Sequence, residues 1–258
     1  AGRAARLMAP RKSLVMGASG FLGSHVTRQL VERGDDVRVL LRETSSTKGI
    51  DDLDVESCYG DIFDDDAVRA ATADRDVVFY CVVDARAMLP DPAPLFRTNV
   101  DGLRRVLDVA VDADLDKFVF VSTICTIAVS GDGSAVTEDT PFNWADKGGD
   151  YVRSRRAAEQ LVLDAVAQRG LPAVAMCVSN TYGPRDWQPT PHGEIVARTA
   201  AGRNGRPSRA LTCRTTCASS AAVVAPPSSA RATMNTTSFW PLSGSSTPMA
   251  AASATPGS

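Results

Sequence analysis

No aspartate or glutamate follows Glu194, and no lysine follows Lys147, in a chain of 258 residues. All 30 acidic residues therefore lie in the first 194, and the last 64 carry none. From about Asn204 the text (NGRPSRALTCRTTCASSAAVVAPPSSA and onward) is dominated by Ala, Ser, Thr and Pro. It has neither helical nor strand periodicity over a useful length. The expectation is a folded unit over residues 8–203, with Met8 as initiator. A low-complexity segment over 204–258 follows, either a disordered tail or the product of a change of reading frame.

Other absences narrow the chemistry. There are only two histidines, His25 and His192, and none of the six cysteines forms a CxxC pair. A structural or catalytic zinc site, and any other metal site, is therefore not expected. Cys81, Cys125 and Cys177 sit in apolar runs, where cysteine behaves as a small hydrophobe, which suits a reducing, cytoplasmic compartment. No apolar run reaches the roughly 18 residues a membrane-spanning helix needs. A net charge of −2 gives no reason to expect a nucleic acid or another polyanion as partner.

What is present is alternation. Apolar runs at 13–16, 37–41, 54–60, 76–83, 117–123 and 173–179 predict strands. Amphipathic stretches at 21–33, 64–71, 94–111 and 151–169 predict helices, two of them ending at Gly34 and Gly170, where a left-handed cap suits glycine. Near-continuous apolar strands alternating with helices imply an α/β fold whose parallel sheet is covered on both faces. The expected architecture is a doubly wound Rossmann fold with strand order 3-2-1-4-5-6.

The first strand runs into VMGASGFLGSHV, which places Gly17, Gly20 and Gly23 between strand and helix. Glycines there permit a tight turn and let backbone N–H groups approach a pyrophosphate, whose charge the helix N-terminus favours. The second strand ends in Arg42, where an acidic residue would select a ribose hydroxyl and an arginine accommodates a 2′-phosphate. With Ser45 and Ser46 close by, Arg42 favours NADP, with NAD as the second choice.

Tyr151 and Arg155 stand at i and i+4 on the last predicted helix, so they share a face. A free phenol has a pKa near 10, and a cation about 4 Å away stabilises the phenolate by up to about 4 kcal/mol at an effective dielectric of 20. The pair therefore reads as acid–base chemistry. Arg153 and Arg156 of the same RSRR run read as a solvated face.

The stretches GASGFLG (17–23), VRVLLR (37–42), GDI (60–62), LFRTNVDGLRRVLDVA (95–110), FVFVSTICTI (118–127), YVRSR (151–155) and NTYGP (180–184) occur in one order. In that order they resemble the extended short-chain dehydrogenase/reductases, the NAD-dependent epimerase/dehydratase family. The likeness is strongest to its dihydroflavonol-reductase-like and 3β-hydroxysteroid-dehydrogenase-like branch, and covers roughly residues 13–200. The resemblance implies Thr123, Tyr151 and Arg155 as catalytic residues. It implies cofactor contacts from Gly17, Gly20, Phe21, Leu22, Gly23, Arg42, Asp61, Ile62, Val82, Asn99, Tyr151 and Arg155. Arg155 stands where the family pattern YxxxK has lysine, and after about residue 203 the family's substrate-binding region is missing or replaced.

The implied activity is NAD(P)-dependent interconversion of a ketone and an alcohol on a small hydrophobic or cyclic substrate. The alternatives are nucleotide-sugar epimerisation or dehydration, and a dinucleotide-binding protein impaired in catalysis. A small-molecule substrate is expected as partner, without nucleic acid or membrane, and a homodimer is compatible with the family.

Overall fold

The computed structural model describes residues 10–202, apart from 88 and 138, and the backbone of 222–224. The sheet comprises β1 (Lys12–Met16), β2 (Asp36–Leu41), β3 (Glu56–Tyr59), β4 (Val77–Tyr80), β5 (Lys117–Thr123), β6 (Ala173–Val178) and β7 (Ala222–Val224). Their spatial order is β3-β2-β1-β4-β5-β6-β7. The first six pair in parallel, in the expected order. The sequence reading omits the short β7, which pairs antiparallel with β6 through Ala175 and Val224. Apart from those three residues, the 204–258 segment lies outside the described residues.

Helices α1 (Phe21–Arg33), α2 (Asp65–Thr72), α3 (Ala93–Phe96), α4 (Leu103–Asp112), α5 (Gly149–Arg169) and α6 (Pro191–Ala200) connect or follow the strands. One face of the sheet packs Leu14, Met16, Tyr80, Phe118 and Phe120 against Leu103 and Leu107 of α4 and Val162 of α5. The other face packs Val15, Val39 and Leu41 against Leu30 of α1. Burial on both faces is why these strands read as unbroken apolar runs. Gly34 and Gly170 close α1 and α5 at φ 89° and 72°, in the left-handed region.

Two sequence expectations change in shape. The predicted strand over 76–83 ends at Tyr80, and Asn99 holds the backbone of the loop beyond it. Asn99 Oδ1 accepts from Asp84 N–H at 2.8 Å and its Nδ2 donates to the Asp84 carbonyl at 3.0 Å. The predicted helix over 94–111 is interrupted by a π-helical turn, Arg97–Gly102, a feature frequent at functional sites. That turn carries Asn99, which is 1% exposed.

Among the described residues no helix is long and apolar enough to cross a membrane, and no group of His, Cys, Asp or Glu could hold a metal ion. Cys58, Cys81, Cys125 and Cys177 are free thiols. Burial pushes the Cys177 thiol up to about 12, so it is inert packing at neutral pH.

Candidate functional site

The carboxyl ends of the parallel strands converge on the β1–α1 turn. Gly17 has φ +88°, and a Cβ there would stand 2.8 Å from the Cys81 carbonyl carbon and 2.9 Å from Val82 N. A Cβ on Gly23 would collide with the Gly17 carbonyl oxygen, so strand, turn and helix close only on glycine. Gly20 differs: among the described residues a Cβ there would meet only Gly17 O, at 3.4 Å, so its face is open. Gly20 caps α1 without any side-chain hydrogen bond. The first N–H groups of α1, those of Phe21, Leu22 and Gly23, have no intrahelical acceptor. An uncapped helix start of this kind above an open glycine fits a pyrophosphate.

Flanking it, Arg42 is exposed and borders a cleft of about 920 Å³ whose lining includes Asp61, Phe63, Arg97 and Arg104. Asp61 Oδ1 accepts from Phe63 N–H at 3.0 Å, which fixes the carboxylate at the cleft wall, and Ile62 packs on Gly102. Val82 is half-buried beside the glycine turn, and the neighbouring Val83 is 44% exposed. Asn99 is withdrawn from the surface. Besides holding Asp84, its Nδ2 donates to the Ser154 hydroxyl at 3.1 Å, tying the β4 loop to α5.

Tyr151 begins α5 and is half-buried against the end of β5. Burial pushes its phenol pKa up, while the Arg155 charge and a hydrogen bond with Thr123 pull it down and Cys125 adds to the rise. Thr123 ends β5 and caps the turn Ile124–Thr126, accepting from Cys125 N–H at 3.2 Å. The fold thus brings the two oxygen-bearing side chains of the expected catalytic set together.

Arg155 sits behind them rather than on the cleft. It is 2% exposed, its Nη2 donates to the Val121 carbonyl, and its guanidinium carbon lies 4.9 Å from the centre of the Phe120 ring. Among the described residues its buried Nε and Nη1 meet no acceptor. Burial lowers its pKa from the ordinary value, opposed first by Tyr151 and then by Tyr80 and Glu159. A guanidinium so enclosed supplies charge to the phenol but presents almost no surface to a ribose. Its planar fork meets the Val121 carbonyl and the Phe120 ring, a pair of contacts that suits a guanidinium.

Of the two arginines read as solvated, Arg153 is exposed and pairs with Asp150 at 2.5 Å. Arg156 departs from that reading: it is half-buried and donates to Glu159 at 2.8 Å. The sequence reading also misses Ser154, Asp84 and Glu159. Helical spacing is the signal that could have found Glu159, since 151, 155 and 159 fall on one face. The Asp84 link to Asn99 has no such local signal.

Residues 13–226 match the family model described as the NAD dependent epimerase/dehydratase family. The chain belongs to this family. The "Putative dihydroflavonol 4-reductase" of Synechocystis sp. is 33% identical over 184 residues, covering 71% of this chain and 53% of that protein. The mouse sterol-4-alpha-carboxylate 3-dehydrogenase, decarboxylating, is 29% identical over 190 residues, covering 70% and 49%. The solved structure of the Thermus thermophilus UDP-glucose 4-epimerase in complex with NAD matches with a TM-score of 0.63 at 28% identity, covering 73% and 61%. The branch expected from the sequence motifs is therefore the one found. The chain spans about half the length of the curated relatives it matches. The family-model match also runs 23 residues past residue 203, where the motif resemblance stops.

Proposed function

We propose that this chain binds NADP and interconverts a ketone and an alcohol on a small hydrophobic or cyclic substrate. The observation that carries this is the Thr123–Tyr151 pair, backed by a buried cation and set on the same sheet edge as the open glycine turn. Gly20 and the first turn of α1 would hold the pyrophosphate, and Arg42 would meet the 2′-phosphate. The dinucleotide, when bound, supplies or accepts a hydride. The chain's own residues handle the proton: Thr123 orients the substrate oxygen, and the Tyr151 hydroxyl gives a proton to that oxygen or takes one from it. Arg155 lowers the cost of the phenolate from behind. A homodimer is retained within this reading, and light scattering would decide it.

Arg42 carries the cofactor preference. A charge-assisted hydrogen bond contributes about 1.5–3 kcal/mol, so Arg42→Ala is expected to weaken NADPH binding about tenfold or more and to leave NADH unchanged. Fluorescence titration of both dinucleotides measures this. Equal affinities for NADPH and NADH in the unmodified chain would overturn the NADP assignment.

A second reading, dinucleotide binding with little turnover, is favoured by the burial of Arg155. Arg155→Lys tests it. A compact ammonium can reach outward where the guanidinium turns inward, and correcting a misplacement of about 1 Å can change rate about 100-fold. We expect only a small gain, below about tenfold, because Tyr151 already has its cation. A gain of about 100-fold with unchanged NADPH affinity would mean the native chain is the impaired form.

A further inference from the structure

Helix α5 carries a second buried charge besides Arg155. Glu159 lies one helical turn beyond Arg155 and is 2% exposed. Its Oε2 accepts from the Ser122 hydroxyl at 2.5 Å and from the Thr126 hydroxyl at 2.7 Å. Its Oε1 accepts from Arg156 Nη1 at 2.8 Å, and the Cys177 thiol approaches Oε2 at 3.6 Å. A carboxylate is costly to bury unless it is paired and hydrogen-bonded, and this one meets both conditions.

The placement of the two hydroxyls matters more than their number. Ser122 precedes Thr123, and Thr126 closes the turn that Thr123 caps. The Thr126 hydroxyl also lies 2.7 Å from the Thr123 carbonyl oxygen. Glu159 therefore grips the chain on both sides of Thr123. Its own backbone belongs to α5, on the face that carries Tyr151 and Arg155.

We propose that Glu159 is a positioning residue, whose carboxylate staples the Ser122–Thr126 segment to α5 and so fixes the Thr123 hydroxyl against the Tyr151 phenol. The inference rests on the reading in which those two groups handle the proton. Without the staple, the end of β5 is still paired to β6 and Thr123 Oγ1 still accepts from Cys125 N–H, but the turn that presents this hydroxyl to the phenol loses its anchor on α5. A role in stability alone would leave the phenol's surroundings as they are.

The test uses the full chain in two variants. Ser122→Ala/Thr126→Val removes the gripped hydroxyls and leaves every charge in place. Glu159→Gln keeps a side-chain oxygen and an amide that can both meet those hydroxyls. Carbon-13 NMR of the tyrosine rings, with Tyr151→Phe to assign the resonance, follows the phenol through pH. NADPH titration reports the cofactor face independently, and steady-state reduction of cyclohexanone separates kcat from KM.

The double variant is expected to bind NADPH within about threefold of the unmodified chain. Its Tyr151 is expected to titrate at higher pH, with kcat lowered about tenfold or more and KM little changed, as a misplaced proton donor requires. Glu159→Gln, whose amide still meets both hydroxyls, is expected to keep kcat and the Tyr151 titration close to those of the unmodified chain. An unshifted Tyr151 titration in the double variant would overturn the proposal. Should that variant fail to fold, Ser122→Ala alone decides on the same criterion. Failure of the unmodified chain to bind NADPH would instead refute the dinucleotide reading, while the titration still judges the staple.

Discussion

Replacing Tyr151 by phenylalanine is expected to lower carbonyl reduction by about 100-fold or more while NADPH affinity changes less than about threefold. The phenol touches Thr123 and is backed by Arg155, so under the proposed role the missing hydroxyl removes the proton donor and no packing. The ring survives the substitution, which is why affinity and folding should persist. The pH dependence has a definite sign. Burial raises the phenol's folded-state pKa above its ordinary value, so the protonated form is the one the fold favours. The stability this contributes is complete below the unfolded value near 10 and is lost as pH rises through the folded value. Reduction, which in the proposed mechanism uses the protonated phenol, should therefore be flat across neutral pH and decline only on the alkaline side. Alcohol oxidation, which uses the phenolate, should rise with pH over the same range. Steady-state rates in both directions between pH 6 and about 10.5 check this. A Tyr151→Phe variant within a factor of about three of the unmodified rate would remove Tyr151 from the chemistry.

The glycine turn should be still less tolerant. Gly17→Ala places a methyl 2.8 Å from the Cys81 carbonyl carbon, on a backbone held at φ +88°. Both the strain and the collision must be relieved by moving the turn away from β4. Overpacking of this kind costs about 1–3 kcal/mol, and the displaced N–H groups no longer converge on a phosphate. Dinucleotide affinity is expected to fall about 100-fold or more, near 2.7 kcal/mol. Gly34→Ala is the matching control. It shares a positive φ of +89°, but its Cβ would meet nothing within 4 Å. It should cost about 1 kcal/mol of stability and leave affinity alone. Calorimetric titration with NADPH and thermal melts of both variants separate the two effects. Wild-type affinity in Gly17→Ala would mean the phosphate lies elsewhere.

Both expectations start from residues legible in the chain. Each follows from a local rule: glycine where strand meets helix, a phenol and a cation one helical turn apart. The apolar runs specify the parallel sheet for the same reason, since a strand buried on both faces has no polar alternation to hide. The strand order is the one a doubly wound dinucleotide fold carries. Position along the sequence was thus enough for the glycine turn, for Arg42 at the end of β2, and for Tyr151 on α5.

What the sequence could not decide was the direction a side chain takes once neighbours from distant segments close around it. Arg155 reads as a cofactor-facing cation, yet Val121 and Phe120 of β5 draw it inward until it is 2% exposed. Asn99 holds the loop after β4 by binding Asp84 across 15 residues, a contact no periodicity encodes. Arg156 reads as solvated because its partner Glu159 is a charge expected to face water. That carboxylate becomes interior only when Ser122 and Thr126, more than 30 residues earlier, supply its hydrogen bonds. Local spacing places groups on a face. Whether a charge on that face is solvated, paired or buried depends on long-range packing, which exists only in the folded chain.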